Sequence, residues 1–170
     1  MDTKTLEALI REELVRAGRT PEPTDNVVLS AAKRLSEAVE ARAAEMGVKA
    51  VVAISDRAAR PVLVHVMEDA YIASYDVALQ KAYTVVALKM STADLKPLAQ
   101  PGGSLYGIQF TNQGQIVIFG GGEPLKIGDR VIGGLGVSGG SEEQDAALAA
   151  FGANVFAQLV NNTCFCKKHV

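Results

Sequence analysis

The sequence predicts an α+β domain in which an antiparallel sheet of about five strands is flanked by helices. Stretches with helical apolar spacing alternate with short β-branched runs, in the order ααββα followed by βββα. Only Asp56 to Arg60 separate the first two strands, which is too short for a parallel crossover and favours a hairpin. The 170 residues are 48% hydrophobic and 21% charged, so the chain can bury one core and lacks a disordered composition.

Residues 1–17 are predicted to form a short amphipathic helix that stands apart from the domain. Residues 18–26 contain glycine, two prolines and polar side chains, which is typical of a linker. A lone helix of this length is marginal in water, so we expect it to dock on a partner protein, on its own domain or on a neighbouring copy. Its apolar side chains recur at helical spacing at Leu6, Leu9, Ile10, Leu14 and Ala17.

Residues 27–160 carry the predicted elements of the domain. Glycine ends the first helix at Gly47, and the apolar run KAVVAIS that follows is typical of a central strand. Small residues in the long third helix would allow close approach to a sheet or to another helix. The expected elements are a helix over 27–46, strands over 49–55 and 61–67, a helix over 68–90, a helical turn through Leu98, strands over 105–110, 115–119 and 130–137, and a final helix from Ser141 to about Val160.

Polar residues are expected to cap these helices. Asp25 or Asn26 precedes the first helix, and Asp69 stands near the start of the long third helix. Ser141 and Gln144 have the spacing of a capping box.

Composition excludes several classes of function. The formal net charge is −2 with scattered basic residues, which disfavours nucleic-acid binding. No apolar run approaches the roughly 20 residues of a membrane-spanning helix, so no membrane partner is expected. The first residues lack the pattern of a signal peptide, and a cytoplasmic location is expected.

The tail over residues 161–170 holds both cysteines. Cys164 and Cys166 are too close for an ordinary disulfide framework. With His169 they provide three soft ligands, one short of a closed zinc site, so either a frayed tail or a site completed between subunits is possible.

Two glycine-rich segments lie among the later strands. They cover Gly120 to Leu125 and Gly133 to Gly140. The second lacks the Gly-Lys-Ser/Thr ending of a P-loop, and no βαβ unit follows it as in a dinucleotide fold. Their glycines either serve tight strand ends or offer backbone N–H groups to a carboxylate or propionate.

Three motifs resemble the GlcG/HbpS family, in the order found there, and the resemblance covers about residues 27–160. They are the run from Asp69 to Thr84, the segment from Gly120 to Leu125, and GVSGGS at Gly136 to Ser141 followed by Glu143-Gln-Asp145. The segment from Pro101 to Phe110 resembles the C-terminal domain of PduO-type proteins. The resemblance implies a profilin-like fold, haem as cofactor, self-association into a homo-oligomer, and an association with cobalamin-dependent or glycyl-radical catabolism in bacterial microcompartments.

The chain departs from the family pattern in two ways. PduO-type proteins carry an N-terminal adenosyltransferase domain that this sequence does not match, so adenosyl transfer is not expected. The family often has Arg-Met-Asp where this chain has Val66 to Asp69, which leaves the iron ligand without a matching position. In this family context, residues 1–17 resemble the helical tags that recruit cargo into a microcompartment, with shell or cargo proteins as partners.

His65 is the best candidate for the iron ligand, because it is the only histidine inside a predicted element. It is in phase with Leu63 and Met67 on one strand, so it is either a core residue or a haem ligand, with Met67 as a second donor. Four tyrosines could stack on a macrocycle, ligate it or fill the core: Tyr71, Tyr75, Tyr83 and Tyr106. Lys81 could meet a propionate, pair with Asp76 of a neighbouring chain, or extend to solvent. The full set of expected haem-binding residues is His65, Met67, Tyr71, Tyr75, Lys81, Gly121, Gly122, Ser138, Gly139 and Gly140.

The sequence is compatible with three functions. A haem-binding accessory protein is favoured, and a small-molecule enzyme or a purely structural oligomer are the alternatives. The sequence shows no Ser-His-Asp or paired-carboxylate arrangement, and it contains only two histidines. No catalytic residue is therefore predicted.

Overall fold

The computed structural model describes residues 26–165. The predicted helix over 1–17, the linker up to residue 25 and tail residues 166–170 lie outside the described residues. The described elements are α1 (Leu29–Glu45), β1 (Val51–Asp56), β2 (Pro61–Val66), α2 (Ile72–Leu88), α3 (Thr92–Ala99), β3 (Gly122–Ile127), β4 (Arg130–Ser138) and α4 (Glu142–Phe165), with 3₁₀ turns at Ile108–Phe110 and Asn112–Gly114.

The four strands form one antiparallel sheet in the order β2-β1-β4-β3. The predicted α+β class and the hairpin between β1 and β2 are confirmed. The sheet has four strands instead of about five. No helix among residues 26–165 has the length and apolar character needed to cross a membrane.

The central strand β1 is buried on both faces, which explains its continuous apolar run. Val52 and Ile54 point to one face, where they join a core with residues of α1 and α4. Val51 and Ala53 point to the other face, where Ala78 and Ala82 of α2 pack on them. The sheet therefore lies between a two-helix layer and a one-helix layer.

The predicted strands over 105–110 and 115–119 are wrong. Residues 105–110 form turns, and Phe110 at their end is 82% exposed, so this stretch has no strand partner or buried face. Val117 is buried, but its N–H donates to Thr84 Oγ1 on α2 rather than to a strand. The missing edge strand is β3, which begins at Gly122 inside the first glycine-rich segment.

The start of α1 differs from the expected one. The helix follows Val28, which makes no side-chain cap. Asn26 instead accepts a hydrogen bond from the N–H of Arg57 at 3.0 Å and ties the chain to the β1–β2 turn, while Asp25 lies outside the described residues. The predicted end at Gly47 is confirmed, since Gly47 has a φ of 68° directly after the helix.

The long helix α2 is shorter than predicted at both ends. Asp69 is not its cap, because Asp69 lies in a turn with a φ of 64° and the helix starts after Tyr71. Lys89 ends α2 in a left-handed conformation. The predicted capping box of α4 is confirmed: Gln144 N–H donates to Ser141 Oγ, and Ser141 N–H donates to Gln144 Oε1.

Candidate functional site

The structure divides the predicted haem-binding residues between the two faces of the sheet. His65 pairs with Val52 across the β1–β2 ladder and shares its face, on the side of α1 and α4. Ser138 pairs with Val51 and lies on the side of α2, where its hydroxyl contacts Ser74. These residues therefore do not line a single pocket.

His65 is held by a carboxylate of helix α1. Its Nδ1 lies 2.7 Å from Glu40 Oε1, and the histidine side chain is 40% exposed. Because an ionised carboxylate only accepts, the bonded Nδ1 carries a hydrogen, and in the neutral imidazole Nε2 then carries the lone pair. Nε2 has no hydrogen-bond partner among residues 26–165. His65 is therefore a half-exposed imidazole with a fixed orientation, available as a metal ligand through Nε2, rather than a buried core residue.

Met67 lies on the same side as His65 but its sulfur is already engaged. The thioether packs against the core below α1, and its Sδ accepts a contact from the N–H of Ala50 at 3.4 Å. Iron ligation by Met67 would require this contact to be given up.

Lys81 is fully buried and has internal partners. Its Nζ donates to Val137 O at 2.8 Å and to Asp145 Oδ2 at 2.7 Å, and it lies 5.0 Å from the ring centroid of Phe119. Burial lowers the pKa of Lys81, and the Asp145 carboxylate opposes part of this change. The carboxylate that pairs with Lys81 within the chain is that of Asp145, and the buried ammonium does not reach solvent to meet a propionate.

Two N–H groups of the predicted glycine cradle are already bonded within the chain. Gly122 N–H donates to Thr92 Oγ1, and Gly140 N–H donates to Asp145 Oδ1, both at 2.9 Å. Gly121 is buried, and a side chain there would meet Lys81 Nζ. The N–H groups of Gly122 and Gly140 would have to give up these partners to receive a propionate.

Tyr71, Gly139 and Gly140 are brought together at an open cleft of about 490 Å³. Tyr71 is 73% exposed, and Tyr75 one turn further along α2 is also exposed, so neither fills the core. The lining is mainly polar and includes Lys49. The sequence offered no pattern that places Lys49 there, because the cleft joins the end of α1 to the end of β4.

Glu40, the hydrogen-bond partner of His65, is not among the residues expected from the sequence. It lies on α1, 25 residues before His65, and only the packing of α1 on β2 brings the two together. No group of three or more His, Cys, Asp or Glu side chains could hold a metal ion among the side chains that the structure describes, residues 26–160. The proposed zinc site at the cysteine tail falls on side chains outside that description.

The α+β fold and the imidazole of His65 are the two features by which we classify this protein. It is a small α+β domain whose sheet presents one oriented, half-exposed imidazole. The family model described as "Haem degrading protein HbpS-like" matches residues 27–154. The chain belongs to this HbpS-like family, and the resemblance inferred from its motifs is confirmed.

Relatives agree with this assignment. An uncharacterised 15.0 kDa protein from the dhaT-dhaS intergenic region of Citrobacter freundii is 45% identical over 133 residues, covering 78% of this chain and 94% of that protein. Corrinoid adenosyltransferase PduO of Citrobacter freundii is 38% identical, but the match covers 79% of this chain and only 40% of that enzyme. A solved PduOC:haem complex is 38% identical with a TM-score of 0.73, covering 75% of this chain and 93% of that one.

Proposed function

We propose that this protein binds haem and that Nε2 of His65 ligates the iron. The observation that carries the proposal is the half-exposed imidazole whose Nδ1 is bonded to Glu40. A metal-binding histidine typically donates its second N–H to a carboxylate or carbonyl in this way. The family description and the similarity to a PduOC:haem complex support the same cofactor. Bound haem would supply the redox-active iron, and the chain would hold and orient it.

Tyr71 is the competing ligand within this proposal. A tyrosine oxygen can also hold haem iron, and Tyr71 is exposed beside the 490 Å³ cleft. The cleft lining is mainly polar, which suits a flat apolar macrocycle less well than the apolar neighbours of His65 do.

Replacing His65 with alanine should weaken haemin binding by about 1–3 kcal/mol, which is about 5- to 150-fold, because a strong polar partner of the iron is lost. The Soret band should shift as well. Haemin titration followed by absorbance measures both. Tyr71→Phe, which removes only the phenol oxygen, is the matched control and should bind as the unaltered protein does.

The opposite responses of the two variants would assign the iron ligand to Tyr71 instead of His65. If His65→Ala binds haemin unchanged while Tyr71→Phe loses affinity, Tyr71 is the iron ligand. In the same titration, a Soret band that decays in the presence of a reductant and oxygen would indicate that the protein degrades haem. A stable band would indicate that it stores haem or uses it in redox reactions.

We further propose that residues 1–17 recruit the protein to the lumen of a bacterial microcompartment, where it serves cobalamin or redox metabolism. The support is the apolar stripe of this segment, the linker after it, and the similarity to PduO. The partner would be a shell or cargo protein.

Deleting residues 1–25 should leave the melting temperature of the domain nearly unchanged, since Asn26 keeps its hydrogen bond with the N–H of Arg57 and the described core begins at Val27. Fusing residues 1–26 to a fluorescent protein should give foci that coincide with labelled shells. A fusion carrying Leu9→Glu and Ile10→Glu is the matched control and should stay diffuse. Diffuse fluorescence of the unaltered fusion beside intact shells would refute the targeting role.

We also propose that the protein is a homo-oligomer. Exposed apolar side chains cluster where β2 ends and α2 begins: Val66, Tyr71, Ile72 and Tyr75, with Ile72 96% exposed. Such a patch is typical of an interface. Light scattering should give a mass well above the 17.9 kDa of one chain, and Ile72→Glu should lower it. A single-chain mass for the unaltered protein at micromolar concentration would contradict the proposal.

A further inference from the structure

We infer that Glu40 is a positioning residue for His65 and that Ser36 in turn positions Glu40. The inference rests on the proposed haem binding, which it deepens by naming the residues that prepare the iron ligand. Ser36 and Glu40 are one helical turn apart on α1, and His65 lies opposite them on β2.

One oxygen atom joins the three side chains. Glu40 Oε1 accepts a hydrogen bond from Ser36 Oγ at 2.5 Å and one from His65 Nδ1 at 2.7 Å. Ser36 is fully buried, the Glu40 side chain is 28% exposed and the His65 side chain is 40% exposed. The chain of hydrogen bonds therefore runs from the interior of the domain to its surface and ends at the imidazole.

The buried end of this chain is fixed by the core. Leu35 and Val39, next to Ser36 and Glu40 on α1, are fully buried against the sheet. This packing sets the position of the Glu40 backbone, and the Ser36 hydroxyl sets the direction of its carboxylate. A side chain held in this way cannot follow a rotating imidazole without losing a hydrogen bond.

The consequence for the imidazole is chemical as well as geometric. A carboxylate at Nδ1 keeps the hydrogen on that nitrogen, which leaves the Nε2 lone pair facing outward. The same hydrogen bond makes Nε2 a stronger donor, which favours ferric over ferrous iron. If Glu40 served only to hold α1 against β2, its replacement would lower the stability of the fold but would leave the properties of bound iron unchanged.

The experiment compares Glu40→Ala, Glu40→Gln and Ser36→Ala with His65→Ala in the full chain. Glu37→Ala is the matched control, because Glu37 is an exposed glutamate on the same helix and its loss changes the charge equally. Three readouts are needed: the tautomer of His65 in the haem-free protein by proton–nitrogen NMR, haemin affinity, and the reduction potential of bound haem.

We expect the haem-free protein to show hydrogen on Nδ1, and Glu40→Ala to convert this to a mixture of tautomers. Haemin affinity should fall by about 10-fold in Glu40→Ala, at the lower end of the usual cost of losing such an outer partner, and by no more than in His65→Ala. The reduction potential should rise in Glu40→Gln. Ser36→Ala should cause smaller changes in the same direction, and Glu37→Ala none.

Two failures are distinguishable. If His65→Ala weakens haemin binding but the Glu40 and Ser36 variants leave tautomer, affinity and potential unchanged, the positioning role is overturned and haem binding by His65 stands. If His65→Ala itself binds haemin unchanged, both proposals are overturned together. Should Glu40→Ala fail to fold, the isosteric Glu40→Gln decides the question through tautomer and potential.

Discussion

Replacing Lys81 with methionine should destabilise the domain by about 3–5 kcal/mol, because it removes one partner of a buried ion pair. Lys81 is fully buried and Asp145 is nearly so, and their charged groups are 2.7 Å apart. Methionine fills a similar volume, but it leaves the Asp145 carboxylate without a cation. Urea or guanidinium unfolding followed by circular dichroism measures the loss.

The double variant Lys81→Met with Asp145→Asn should be more stable than the sum of the two single changes predicts. Asparagine keeps an oxygen for the N–H of Gly140, which Asp145 accepts in the native domain, while both charges are removed. A coupling energy of about 1–3 kcal/mol is expected for such a contact. Lys33→Met, an exposed lysine on α1, is the control and should change stability by less than about 0.5 kcal/mol. A Lys81→Met variant as stable as the control would contradict the buried pair.

The ion pair also explains why the sequence could not locate the role of Lys81. An isolated lysine in an apolar helix is expected to extend its ammonium to solvent. Lys81 and Asp145 are 64 residues apart, and they meet only because α2 and the start of α4 approach the same end of β4. Pairings between distant elements leave no periodic pattern in a sequence.

The main elements were predictable because their patterns are local. The apolar run of β1 and the cap of α4 at Ser141 each lie within a few residues of chain. The edge strand β3 was missed because glycine and proline, at Gly122 and Pro124, lower strand propensity. The stretch over residues 105–110 has β-prone composition but no strand to pair with, so composition alone predicts a strand where the chain forms turns.

The candidate site was predictable only in part. His65 could be selected from the sequence, because it is a strong ligand type inside a predicted strand. Its partner Glu40 could not be selected, since it is one of three glutamates of α1 and only its contact with β2 distinguishes it from the other two. The two glycine-rich segments illustrate a different limit. A glycine indicates that another group comes close to the backbone, but the sequence does not tell whether that group is a ligand or another part of the chain.

In β4 the approaching group is the backbone of α2. A side chain at Gly136 would overlap the carbonyl oxygen of Ala78, and one at Gly134 would overlap that of Ala82. Ala78 and Ala82 are themselves small and buried, so helix and strand are in contact through their backbones. Gly134 and Gly136 therefore serve the packing of α2 on the sheet, whereas the sequence alone is equally compatible with a propionate cradle.

Replacing Gly136 with alanine should destabilise the domain by about 3 kcal/mol or more, at the upper end of the range for overpacked interiors. The added Cβ would meet the backbone of α2 rather than a flexible side chain, so the whole helix must shift to make room. Gly120→Ala is the matched control, since its Cβ would meet the Ala146 Cβ at 3.1 Å, which a small adjustment relieves. Chemical unfolding of both variants measures the difference. Equal stability of the two would show that α2 can move away from β4 without cost, and the close contact of the two backbones would then not be what requires glycine at Gly136.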